Sequence, residues 1–95
     1  MSLTTEAEFA EIVEIILTER IFGQASYVEL IDEMPNMILL TQEDLKLSTT
    51  RPREAVWEQR VRNITCHKDT RGNAIYAGRL ISIPGGLALP GAVAA

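Results

Sequence analysis

Residues 52–68, PREAVWEQRVRNITCHK, constrain the fold more than any other stretch. At about 100° per residue, Trp57, Val61, Ile64 and the stem of Lys68 share one face of a helix. That face is the expected core side, with Trp57 as its anchor. Ala55, Gln59, Arg62, Asn63 and Cys66 lie opposite, with Arg60 and His67 on the flank. Pro52 suits the first turn, where its missing N–H has no intrahelical partner.

The rest of the chain is organised before and after this helix. Thr5 and Glu8 have the spacing of a capping box, in which a hydroxyl and a carboxylate each satisfy a free backbone N–H. Phe9, Ile12, Val13, Ile16 and Leu17 then recur at helical spacing, with Glu8, Glu11, Glu14 and Glu19 off the stripe. Gly23 suits the left-handed residue that stops such a helix. Residues 24–26 fit either a very short strand or the lead into a second helix, which Ser26 and Glu29 cap. Tyr27, Leu30, Ile31 and Met34 form its apolar side, and Pro35 is expected to end it near Glu33. Residues 37–40 read as a buried irregular connection. Thr41 caps a further short helix, with Glu43 and Asp44 at its positive end and Leu45 and Leu47 turned inward.

Beyond residue 68 the period changes. Residues 69–73 are rich in turn formers, and Ile75, Ala77, Arg79, Ile81 and Ile83 alternate with Tyr76, Gly78, Leu80 and Ser82 as in a strand, with a bulge at Gly78. Gly85-Gly86 marks a two-residue hairpin turn, and residues 87–89 return as its second strand. The expected class is α+β, mainly α, a winged helix-turn-helix with a C-terminal β-hairpin wing. With 95 residues, one domain over residues 5–90 is expected, with residues 1–4 and 91–95 as disordered ends.

Charge bears on function through its distribution. The net charge is -4, but residues 1–45 hold ten acidic side chains against Arg20 alone, whereas residues 46–95 hold eight basic against three acidic. Such asymmetry is expected of a domain with one face against an anion; the alternative is a dipolar domain whose halves attract. The outer face of the main helix fits base reading: Arg matches guanine bidentately, Gln and Asn match adenine, and small Ala55 and Cys66 permit close approach. An ordinary solvated helix face has the same composition.

Other chemistries find little footing. Cys66 and His67 are adjacent, so on a helix they diverge by about 100°, and the chain has no second Cys or His. Neither a metal site nor a nucleophile–base pair is expected, and no cofactor or catalytic residue is assigned. A single cysteine excludes an internal disulfide and fits a reducing, cytoplasmic setting. No apolar run reaches the ~18 residues of a membrane span, and the first residues lack the pattern of a signal peptide.

Leu40-Thr41-Gln42-Glu43-Asp44-Leu45, then Arg51-Pro52-Arg53, then Trp57-Glu58-Gln59-Arg60-Val61-Arg62-Asn63, resemble the N-terminal winged-helix domain of Mrr-type restriction endonucleases and related bacterial proteins. There an L-T-x-E-D-L segment precedes P-x-(W/F)-x-x-R-V-R-x on the third main helix. The likeness runs from about Phe9 to Leu89. It implies a DNA-binding protein associated with restriction or transcriptional regulation, its main helix directed at a major groove. On that reading Gln59, Arg62 and Asn63 face bases, while Arg51, Arg53, Arg60, Lys68, Arg71 and Arg79 face phosphates and His67 borders the contact. The nuclease activity of those enzymes is not carried over, since no catalytic domain is expected after Ala95. The Gly85-Gly86 tip also lacks the basic residues of a DNA-contacting wing. The competing expectation is a protein-interaction or dimerisation module that uses the acidic first helix or an apolar hairpin patch of Ile81, Ile83 and Leu87.

Overall fold

A computed structural model describes residues 3–91, and the remaining end residues lie outside the described residues. Helix α1, Glu6–Thr18, starts as its sequence requires: the Thr5 hydroxyl accepts the Glu8 N–H at 3.1 Å and Glu8 accepts the Thr5 N–H at 3.0 Å. Phe9, Ala10, Val13, Ile16 and Leu17 are buried from this helix. It ends five residues before Gly23, because the chain turns early to enter a sheet. Gly23, at φ 61°, accepts the Leu89 N–H at 2.8 Å rather than capping the helix.

Both readings of residues 24–26 hold together. Strand β1, Gln24–Ser26, runs straight into α2, Tyr27–Met37, through the reciprocal Ser26–Glu29 cap. Pro35 does not end α2 near Glu33 but lies inside it. The proline removes only the N–H that would reach Ile31, while Ile38 N–H closes on Met34 O at 3.1 Å and fully buried Met34 holds the last turn in the core. In residues 37–40, Ile38 and Leu40 pack against the core, but Leu39 is 83% exposed.

Helix α3, Gln42–Leu45, is capped by Thr41 and Asp44. Its inward residue is Asp44; Leu45 and Leu47 face outward, against expectation. The reciprocal cap folds the Asp44 side chain back toward Thr41, where Thr4 meets it, so the carboxylate takes the buried position. Thr4, expected outside the domain, is thereby buried.

Helix α4, Val56–Cys66, is shorter than residues 52–68. The Leu47–Ala55 bridge holds the chain in a loop until Ala55, so Pro52 lies in a turn, and Lys68 is exposed beyond the helix end. Ala55 has no side-chain acceptor, and half of a capping box remains in the Ala55 N–H donating to Glu58 at 2.8 Å. Trp57, Val61 and Ile64 are buried as their spacing requires, with the Trp57 and Phe9 rings 6.3 Å apart between centroids. α4 packs on α1, α2 and α3.

The expected long strand over residues 75–83 shrinks to β2, Ile81–Ile83. Buried Asn73 winds the residues that follow it into turns: its side-chain oxygen accepts the Ile75 N–H at 2.7 Å, and its side-chain NH2 donates to Ile64 O at 2.9 Å. Gly78, at φ 82°, belongs to these turns and not to a strand bulge. Pro84 and Gly85 form the two-residue hairpin turn, so Gly86 opens β3, Gly86–Ala88. The sheet is antiparallel in the order β1-β3-β2, with Ala25 opposite Leu87 and Ser82 opposite Leu87 on the other side. Leu87 and Ala88 are fully buried beneath the helices' core. The described chain is thus α+β, with four helices and one three-stranded sheet. Among the described residues, no helix is long and apolar enough to cross a membrane.

Candidate functional site

Eight of the nine Lys and Arg side chains fall into two groups, with half-buried Arg60 on α4 apart. Arg20 pairs with Glu29 at 3.1 Å, Lys46 with Glu43 at 3.0 Å, Arg62 with Glu54 at 3.0 Å and Arg79 with Glu14 at 3.4 Å. His67 Nδ1 lies 2.7 Å from Glu6, joining the end of α4 to the start of α1. Arg51, Arg53, Lys68 and Arg71 are exposed and, among the described residues, in no ion pair. The first two precede α4 and the last two follow it. At 1.5 Å per residue the intervening helix is about 16 Å long.

Between these ends, α4 is more enclosed than its periodicity implied. From Val56 to Thr65 every residue is buried or half-buried. Residues 46–56 fold over its first turns, and Gln59 is drawn into that loop: its amide oxygen accepts the Ser48 hydroxyl at 2.5 Å, and its NH2 donates to Thr50 at 3.0 Å. Arg62 is held between loop and helix, its Nε on Glu54 and its guanidinium 5.7 Å from the Tyr27 ring centre. Burial pushes the Tyr27 phenol above its ordinary value, opposed by a hydrogen bond with the Thr65 hydroxyl. Among the described residues, half-buried Asn63 makes no side-chain hydrogen bond and half-buried Arg60 has an Nε without a partner.

Of the ten residues expected to meet DNA, the fold therefore leaves Arg51, Arg53, Lys68 and Arg71 free as cations and Asn63 free as an amide. Gln59, Arg62, His67 and Arg79 have intramolecular partners, and half-buried Arg60, in no ion pair among the described residues, keeps a buried Nε without a partner. Sequence reasoning missed Ser48 and Glu54, whose roles depend on a loop packing over a helix, and read Tyr27 only as part of the apolar side of α2. It also missed Asn73, although a buried Asn at a turn has a recognisable signature in its two-residue reach to the following N–H groups.

Elsewhere, a groove of about 570 Å³ runs beside Ile21, Phe22, Ile83 and Pro84. Ile21 is 94% and Phe22 59% exposed there. Cys66 is exposed, and no group of three His, Cys, Asp or Glu able to hold a metal occurs among the described residues. Compared with protein-family models, curated proteins and solved structures, the chain matches none.

Proposed function

We propose that this chain is a winged-helix domain that binds duplex DNA, chiefly through phosphates on either side of a major groove. The observation that carries the reading is the placement of unpaired cations at both ends of α4: Arg51 and Arg53 before it, Lys68 and Arg71 after it. A helix of about 16 Å between cationic ends is commensurate with a groove ~12 Å wide. The order of three main helices followed by a hairpin, with the first strand completing the sheet, supports the same reading. So does the resemblance to the DNA-recognition domain of Mrr-type endonucleases, from which a role in restriction or transcriptional regulation follows; the single cysteine fits a reducing, cytoplasmic setting.

Base reading falls mainly to Asn63, because Gln59 and Arg62 are committed within the fold. Affinity then comes from phosphate contacts, and preference among sequences is weak. Titration of a fluorescent duplex at increasing salt tests this. Four contacts give a slope of log K against log salt of about -3.6. Absence of saturable binding even at low salt overturns the proposal.

The second reading is a protein-interaction module, and exposed Ile21 and Phe22 favour it. Its surface is not the hairpin patch of Ile81, Ile83 and Leu87, because Leu87 is fully buried. Light scattering of the wild type and of Ile21→Ser/Phe22→Ser tests self-association there. A monodisperse monomer in both removes a homodimer from consideration.

A further inference from the structure

The hairpin β2–β3 has no cation between Ile81 and Leu89, so a second element must contact the backbone if the domain grips DNA beyond the helix itself. We infer that residues 46–56 form that element: a closed, pre-ordered loop whose Arg51 and Arg53 engage phosphodiester groups, with Gln59 as its positioning residue and not a base reader. This rests on the DNA-binding reading above.

The loop is built like a small hairpin. Val56 N–H donates to Lys46 O at 2.7 Å, Ser48 N–H to Glu54 O at 2.9 Å, and Glu54 N–H to Arg51 O at 2.9 Å, around the Leu47–Ala55 bridge. Inside it, the buried Ser48 hydroxyl accepts the N–H groups of Thr50 and Arg51 at 3.2 and 3.1 Å. The same hydroxyl donates to Gln59, whose NH2 group in turn holds Thr50. Arg62 fastens the other limb of the loop through Glu54.

These bonds order the backbone on both sides of the tip, and Pro52 fixes φ between the two arginines. Arg51 and Arg53 themselves take no part in side-chain bonding among the described residues and remain exposed. Ordered backbone with free guanidinium groups is what a phosphate contact needs: the fork geometry matches phosphate oxygens, and little loop entropy is lost on binding. Both functional atoms of the Gln59 amide are occupied by the loop. Each atom keeps one further site, a lone pair or an N–H, but turning the amide away from the loop to reach a base would forfeit both bonds.

The test compares the wild type, Arg51→Ala/Arg53→Ala and Gln59→Ala on two duplexes of unrelated sequence across a salt series, with amide hydrogen exchange of the free proteins. Removing the two arginines should flatten the salt slope by about 2. Gln59→Ala should weaken both duplexes alike, and exchange at the Thr50 and Arg51 amides should accelerate about tenfold with the core amides unchanged. The exposed double variant should keep the wild-type circular dichroism, so it decides the contact even if Gln59→Ala loosens the whole domain. A wild-type slope in the double variant overturns the loop contact while leaving DNA binding by Lys68 and Arg71 intact. Loss on one sequence only with Gln59→Ala makes Gln59 a base reader and overturns its positioning role. A wild type that binds neither duplex removes the DNA reading and the loop contact together.

Discussion

Thr4 and Asp44, forty residues apart, meet through two short hydrogen bonds: the carboxylate accepts the Thr4 N–H at 2.7 Å and its hydroxyl at 2.6 Å. Asp44 is fully buried and also accepts the Thr41 N–H at 3.0 Å, so one side chain caps α3 and ties down the start of the described chain. Asp44→Ala leaves three donors without their acceptor. The expected loss is about 3 kcal/mol in urea unfolding, within the range for breaking a buried hydrogen-bonded charge. A loss below about 1 kcal/mol contradicts this account.

Acid should destabilise the domain through the same group. Desolvation raises the Asp44 pKa, but the hydrogen bonds from Thr4 and Thr41 outweigh it and hold the carboxyl below its ordinary 3.8. The capping carboxylates Glu8 and Glu29 are held below their ordinary 4.5, first by the backbone N–H groups of Thr5 and Ser26. In each case the unfolded chain takes up its proton at higher pH than the folded one. Their stabilisation is therefore complete above about pH 5 and lost as pH falls through the unfolded and then the folded values. Unfolding midpoints measured from pH 6 to pH 3 should fall, and less steeply in Asp44→Asn. Equal slopes in both proteins would dissociate Asp44 from the effect.

Gly86 is confined by the strand it pairs with. A Cβ there would lie 2.1 Å from Ala25 O and 2.8 Å from Ser26 Cα, both backbone atoms. Gly86→Ala must therefore part β1 from β3, and a loss of roughly 3 kcal/mol or more is expected. At Gly85 a Cβ meets nothing within 4 Å, and only its φ of 71° opposes alanine, at about 1 kcal/mol. Thermal melts should rank Gly85→Ala above Gly86→Ala; the reverse order contradicts the packing.

Arg62→Ala should act on the loop more than on base choice. It removes the partner of Glu54 Oε1, while Glu54 Oε2 is already buried without one. Since Arg62 is over a third exposed, the stability loss is about 1 kcal/mol after allowance for solvent. A double-mutant cycle with Glu54→Gln should recover most of it as coupling. On DNA, the variant should shift affinity equally for unrelated duplexes. A tenfold difference between sequences would restore Arg62 as a base reader.

What the sequence determined alone was local. Thr5–Glu8, Ser26–Glu29 and Thr41–Asp44 cap their helices because a hydroxyl and a carboxylate three residues apart reach each other's N–H whatever surrounds them. The stripes of α1 and α4 are buried because their spacing is a property of the helix. Only the tertiary structure decided which polar residues are free. Periodicity places Gln59 and Arg62 away from the core, but it cannot distinguish solvent from a loop laid across the helix. The Asp44–Thr4 bond, the Ser48–Gln59 bond and the Arg62–Glu54 pair all join segments whose meeting depends on packing. Hydrogen-bond donors and acceptors recur in every stretch of chain, so their types do not specify which partners meet.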